Sequence, residues 1–430
     1  MMFKTILSYA ASNGVQRAVS LLASLLLLRV YTPAEVGEYV LIQTIAQLMI
    51  PLTTLNVTVA LTREAKVDVF RTVDLLKRIS IAVLVAFVLA AAVFPFAGTW
   101  HWICAAVMLG LAEALYNSLT AFLMGRENSS SVLKLSLVRV SVFLVLLIAT
   151  YLKHLTIPQF VVLVSIFLVG LSVAVIWSIV LRIQGNGLLK RRSSITISTM
   201  YGYSIGTLPH TAALWVSVSS DRTILGVLEG KEAVGEYAIA LTLAQSIMVL
   251  MAGVISAMPP RIINDVETWI TPSVIIGFIK KITGLTIAIN VFSLTLFYMN
   301  NQFINLVPNS LNTDLITLSL IGSSYFMSLF YVFFASYLYQ QRNTAALTWM
   351  GFVLLPMNLA MIYVLVFFLG KFGAAAGLLL SYTSFGVAYG VAAVRLVPEL
   401  RAVLMPLAVI SFVQVFGSLA VAFFFLLLTY

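Results

Sequence analysis

Residues 34–47 read AEVGEYVLIQTIAQ and residues 232–245 read EAVGEYAIALTLAQ, seven identities in fourteen positions at an offset of 198 residues. Both copies carry Val-Gly-Glu-Tyr, from Val36 to Tyr39 and from Val234 to Tyr237, and each lies in a short polar break between long apolar runs. An offset near half of a 430-residue chain means two homologous halves rather than a short solenoid repeat. That constrains the fold to a duplicated body, and the chemistry of the intervening runs decides which kind.

Hydrophobic residues make up 61% of the chain and charged residues 9%, far from the roughly 25% charged content of a soluble domain. Runs long enough to span a bilayer, about 20 residues at 1.5 Å each, fall near 10–30, 37–61, 79–97, 101–124, 133–152, 159–181, 201–226, 234–257, 282–299, 314–338, 345–369, 373–394 and 405–429. Backbone groups in hydrocarbon must be satisfied within their own segment, so these runs are helices and the expected class is all-α and polytopic. Six runs fall in residues 1–198 and six in 199–396, with the basic stretch from Leu188 to Ser194 as the linker. Residues 397–430 add one unpaired run. Both halves begin on the same side, so the repeat is parallel, and two six-helix lobes about a central cavity follow.

The net charge of +10 is topogenic. With a cytoplasmic N-terminus, eighteen Lys and Arg fall in cytoplasmic segments, against five opposite (Arg29, Lys153, Arg222, Lys231 and Lys371). This positive-inside bias fixes the orientation and removes nucleic acid as the reason for basicity. The single cysteine, Cys104, lies inside an apolar run, which excludes a disulfide framework or a thiol metal site. The N-terminal residues lack a cleavable signal pattern, so the first helix is expected to be retained. No connection is long enough for a soluble domain. No GxxxxGK phosphate loop, HExxH pair or Cys/His cluster is present, so neither ATP hydrolysis, zinc chemistry nor any other cofactor is expected, and the chain is not expected to be an enzyme.

At the repeated junctions, Pro33 suits a helix start, Gly37 and Gly235 permit close backbone approach, and Glu38 and Glu236 are expected in the first turn of their spans. Helix capping is their simplest role.

Polar residues inside the spans carry most of the functional information, because they are costly there and usually face a cavity or one another. The first span places Asn13, Gln16, Arg17, Ser20 and Ser24 on one face. The fourth does the same with Glu113, Tyr116, Asn117 and Thr120, and the fifth carries Ser136 and Arg139. The seventh carries a stripe including Tyr203, Thr207, His210, Ser217 and Asp221, and the tenth holds Ser324, Ser328 and Tyr331. Five polar stripes on separate helices predict a water-accessible central cavity. Arg17 and Arg139, at similar depth, suit a phosphate group, since guanidinium binds phosphate oxygens through a bidentate fork. The alternative is an ion pair of either arginine with Glu113 that only holds helices together. Asp221, Glu113 and His210 are ion-coupling candidates; the plainer readings are an interfacial pair for Asp221 and a packing role for His210. As neighbours on a helix, Asp221 and Arg222 are expected to point about 100° apart.

The segment from Arg29 to Leu48 with the following TREAKVD resembles the first-to-second helix region of polysaccharide flippases of the Wzx type. Ser219 to Gln245, including its Asp-Arg, resembles the matching seventh-to-eighth region, and Leu369 to Tyr382 resembles the Gly-rich opening of the twelfth helix. The family belongs with the MATE-like exporters of the MOP superfamily. The resemblance implies movement of undecaprenyl-diphosphate-linked oligosaccharide units across the bacterial inner membrane by alternating access. It implies cationic cavity residues matching Arg17 and Arg139 by helix and environment. Asn13, Gln16, Glu113, Asn117, Tyr203 and His210, from the polar stripes themselves, are the other candidate substrate-binding residues. The implied partners are the lipid-linked glycan, membrane lipid, a coupling ion (H+ or Na+) and other polysaccharide assembly proteins. A thirteenth span departs from the family's usual twelve. Two other classes stay open: a MATE-type cation/drug antiporter, which expects a more acidic cavity, and a membrane ligase or polymerase, which expects a long outer loop.

Overall fold

A computed structural model describes residues 27, 31–65, 68–126, 128–153, 155–185, 196–264, 315–341 and 344–401, with a few isolated positions between 271 and 284 and between 409 and 420. The first, ninth and thirteenth expected spans lie almost wholly outside these residues, as does the linker at 188–194. Among the described residues the fold is all-helical, without strands. The helices are α1 (Pro33–Thr54), α2 (Val57–Glu64), α3 (Val69–Val93), α4 (His101–Gly125), α5 (Ser129–Lys153), α6 (Ile157–Gly185), α7 (Ile197–Leu228), α8 (Lys231–Asn264), α9 (Leu315–Gln340) and α10 (Thr344–Leu396). Seven of them are long and apolar enough to cross a membrane. Helices α7 and α8 run for 32 and 34 residues, also long enough to cross. The molecule is a multi-pass membrane protein.

Local sequence explains the helix ends. Thr32 and Glu35 form a capping box: the Glu35 carboxylate accepts from the Thr32 N–H at 2.8 Å, and the Thr32 hydroxyl accepts from the Glu35 N–H at 3.4 Å. Pro33 takes the first helical position, where its missing N–H removes nothing. The start therefore precedes the expected one, and Glu35 and Glu232, not Glu38 and Glu236, are the first-turn acids. Glu236 instead pairs with Lys371 at 3.0 Å.

The expected span at 37–61 is broken. Leu55 and Asn56 both adopt left-handed backbone, with φ of 50° and 56°. The Asn56 N–H reaches back to the Pro51 carbonyl at 2.9 Å and the Leu55 N–H to that of Leu52 at 3.4 Å, a Schellman ending. The Asn56 side-chain amide holds this strained turn by donating to the hydroxyls of Thr207 and Thr211 on α7, each at 2.9 Å. The second break was expected: α10 folds back at Gly370, whose φ of 54° and ψ of −131° are open only to glycine. Each arm of α10 can cross the hydrocarbon alone, at about 20 residues per crossing.

The chain clusters into two compact units, Glu38–Val216 and Met1–Gly37 with Ser217–Tyr430. Their boundaries fall inside α1 and α7, not in loops. In the Glu38–Val216 unit the central element is α4: 72% of its spanning window is buried, against 22% for α3. Leu111, Leu115, Leu119 and Phe122 of α4 pack among Leu75, Leu76 and Ile79 of α3 and Leu168 and Ile176 of α6. In the other unit α9 is central, with 89% of its window buried against α8 and α10. These two are the fourth runs of the two sequence halves. The outer faces of α3 and α10 present Val88, Leu89, Phe367 and Phe368 to lipid.

The two copies of the repeated junction meet within one unit. A Cβ placed on Gly37 would fall on the carbonyl oxygen of Lys231, 2.9 Å from its carbonyl carbon. One placed on Gly235 would fall on the carbonyl oxygen of Pro33, 2.6 Å from its carbonyl carbon. Gly37 and Gly235 are equivalent in the repeat, as are Pro33 and Lys231, so the contact is reciprocal.

Candidate functional site

Within the Glu38–Val216 unit, α1, α4, α5 and α6 enclose a cavity of about 40 Å³, room for roughly two or three waters. Its polar lining is Tyr39 and Gln43 from α1, Glu113 from α4 and Arg139 from α5; Phe143 and Phe167 are the aromatic walls. Helical spacing puts Tyr39 and Gln43 one turn apart on one face, and the Gln43 amide donates to the Tyr39 hydroxyl at 2.8 Å. Arg139 donates to the Glu113 carboxylate. Its guanidinium also lies over the Tyr116 ring, 4.8 Å from the centroid, while the Tyr116 and Ser136 hydroxyls are 3.4 Å apart. Arg139 and Glu113 keep 29% and 16% of their side-chain surface accessible, so the pair is neither sealed nor free.

This arrangement gives a guanidinium whose charge is balanced by one carboxylate and supported by an aromatic face. An anion entering the cavity competes with Glu113 for the Arg139 fork. A cation competes with Arg139 for Glu113.

The expected site residues distribute as follows. Glu113 and Arg139 are brought together, and Asn117 is half-buried one turn along α4 from Glu113. Tyr203 and His210 lie on α7 in the same unit, Tyr203 half-buried and His210 fully buried. Asp221 belongs to the other unit. Asn13, Gln16 and Arg17 lie outside the described residues.

In that second unit Asp221 is fully buried and accepts a 2.8 Å hydrogen bond from the Tyr237 hydroxyl. Its other oxygen accepts from the Arg222 backbone N–H at 2.8 Å and lies 3.7 Å from the Arg222 Nε. Neighbours on a helix were expected to diverge; here the long Arg222 side chain curls back to its own neighbour.

Sequence reasoning passed over Tyr39, Gln43, Phe143 and Tyr237. The signal for two of them was present, since Tyr39 and Tyr237 end the two Val-Gly-Glu-Tyr copies.

An all-α multi-pass membrane protein with a polar, charged pocket inside a helical unit is the class that these observations define. The particular fold is that of the MATE transporters. One match is the outward-facing structure of a multidrug resistance MATE family transporter of the MOP superfamily (TM-score 0.63, 13% identity, 93% of this chain and 96% of that chain). Another is a point mutant of the Vibrio cholerae MATE transporter VcmN (TM-score 0.60, 14% identity, 92% and 96%). A third is a MOP superfamily transporter from Pyrococcus furiosus, for which reverse polarity of the binding pocket suggests a different function (TM-score 0.59, 13% identity, 93% and 96%). No protein-family profile and no curated protein matches the chain.

Proposed function

We propose that the chain is a flippase that carries undecaprenyl-diphosphate-linked oligosaccharide units from the cytoplasmic to the periplasmic leaflet of the bacterial inner membrane. The N-terminus is cytoplasmic. Residues 1–198 and 199–396 act as two six-helix lobes that alternate access, and residues 397–430 add a further helix. The observation that carries the reading is Arg139, a guanidinium that reaches the cavity from a membrane-spanning helix and is backed by the Tyr116 ring. A cavity cation suits a diphosphate, because guanidinium stays charged when desolvated and binds phosphate oxygens in pairs. The diphosphate displaces the Glu113 carboxylate from Arg139, Tyr39 and Gln43 offer hydroxyl and amide contacts to the first sugar, and the prenyl chain stays in lipid. The cavity of about 40 Å³ must widen to admit the headgroup. Arg17 is the second cation of this reading, with Asn13 and Gln16 beside it. Coupling to H+ or Na+ through Asp221, Glu113 or His210 belongs to the same proposal.

Glu113 favours a second reading, a MATE-type cation/drug antiporter, because a carboxylate in the same cavity suits a cationic substrate. Proteoliposomes separate the two. With a fluorescent polyprenyl-diphosphate glycan, the chain is expected to equilibrate the leaflets, Arg139→Ala to abolish this, and Arg139→Lys to restore it partly. Export of cationic dyes that needs Glu113 and not Arg139, with no glycan movement, would establish the antiporter instead.

A further inference from the structure

The reciprocal glycine crossing does more than join two helix ends. We propose that the crossing of Gly37 with Lys231 and of Gly235 with Pro33 is a backbone latch that shuts the non-cytoplasmic side of the transporter and parts once in every cycle. This rests on the alternating-access reading above, and on the charge asymmetry that puts both junctions on that side.

Three observations carry it. The contact is made by bare backbone: each glycine abuts a carbonyl of the opposite junction, so the helix starts approach as only glycine allows. Contacts of this kind are weak Cα–H···O interactions, strong enough to hold a closed state and weak enough to release it. Second, the contact has the symmetry of the repeat, so one separation frees both halves of it. Third, the boundary between compact units falls immediately after Gly37, inside α1. The first turn of α1 therefore packs with α8, and the remainder of the same helix packs with the other unit. Val36 and Val234, the equivalent residues preceding the two glycines, are both buried.

A methyl group at either glycine cannot rotate away, because what it meets is backbone. It must push the helix ends apart, and it does so only in the latched state. Gly37→Ala and Gly235→Ala thus bias the protein toward the unlatched conformation, and by reciprocity do so equally.

The test uses the full chain in right-side-out membrane vesicles, with Cys104 replaced by Ala and a single reporter, Val36→Cys. Labelling by a membrane-impermeant thiol reagent is expected to be slow in this parent. It is expected to rise about tenfold with Gly235→Ala, as an overpacked contact shifts a two-state equilibrium. With Val234→Cys as reporter, Gly37→Ala is expected to do the same. Gly202→Ala, whose Cβ meets nothing, is the control and is expected to leave both rates unchanged. Unchanged labelling in folded Gly37→Ala and Gly235→Ala would overturn the latch. So would failure of those two variants to fold while Gly202→Ala folds, since a contact that opens in each cycle is not indispensable to the fold. The readout needs no substrate, so a wrong glycan assignment leaves it intact.

Discussion

Tyr39 and Tyr237 are equivalent in the repeat, and each stands beside a carboxylate and a guanidinium, yet the two arrangements are built differently. Beside Tyr39 the pair is assembled from two helices: Glu113 comes from α4 and Arg139 from α5, and both line a cavity. Beside Tyr237 the pair comes from consecutive residues of α7, with Asp221 fully buried and its oxygens already engaged by the Tyr237 hydroxyl and the Arg222 N–H. In the first pair the arginine is the better-satisfied partner, held by a carboxylate and an aromatic face. In the second the carboxylate is better satisfied, and the Arg222 Nε is buried without a hydrogen-bond partner among the described residues. The lesson is that duplication preserved a polar position and let its use diverge: one half keeps an exchangeable charge at a cavity, the other a closed one in its core.

Substitutions that remove one partner should break the likeness in a definite order. Asp221→Ala strands the Arg222 charge in a closed site and is expected to lower unfolding free energy by about 3–5 kcal/mol in a denaturant titration in detergent. Tyr237→Phe removes a hydrogen bond to a charged group and should lose about 1.5–3 kcal/mol in the same titration. Arg139→Ala leaves Glu113 facing a cavity that admits water. Its expected loss is smaller, about 1–2 kcal/mol, and the double variant Glu113→Gln with Arg139→Gln should recover most of it. Tyr39→Phe removes a neutral hydrogen bond from Gln43 and is expected to lose only about 0.5–1.5 kcal/mol. If Arg139→Ala proves as destabilising as Asp221→Ala, the first pair is as closed as the second and the contrast fails.

The elements legible in the sequence were those whose cause is local. Apolar run length announced the helices, Pro33 marked a start although its first-turn acid was expected at Glu38 and is Glu35, and the Gly-Lys-Phe-Gly stretch marked the fold-back in α10. The break after Thr54 was hidden, because it places Leu55 in a left-handed conformation that sequence rules reserve for glycine. What stabilises it, Thr207 and Thr211, lies 151 and 155 residues further on. The candidate site divides in the same way. Helical spacing showed that Glu113 and Asn117 share a face, and an acid near two arginines suggested an ion pair. Nothing local showed that Tyr39 and Gln43 close the same cavity from α1, or that Tyr237 reaches back to Asp221. Those contacts depend on which helices become neighbours, and hydropathy carries no such information.

The burial of α9 also bears on the order in which the molecule is made. This helix has Thr317, Ser319 and Ser323 hydroxyls buried without partners among the described residues, whereas Ser324, Ser328 and Ser336 donate to carbonyls of their own helix. Its neighbours are α8, already synthesised when α9 emerges, and α10, which is not. A nascent chain ending at Gln340 therefore exposes a serine- and tyrosine-rich surface to lipid until the next fifty-odd residues arrive to cover it. Biogenesis has a vulnerable interval at this point. A chain truncated there is expected to be cleared by membrane proteases faster than the complete protein, which pulse-chase decay of the two would measure.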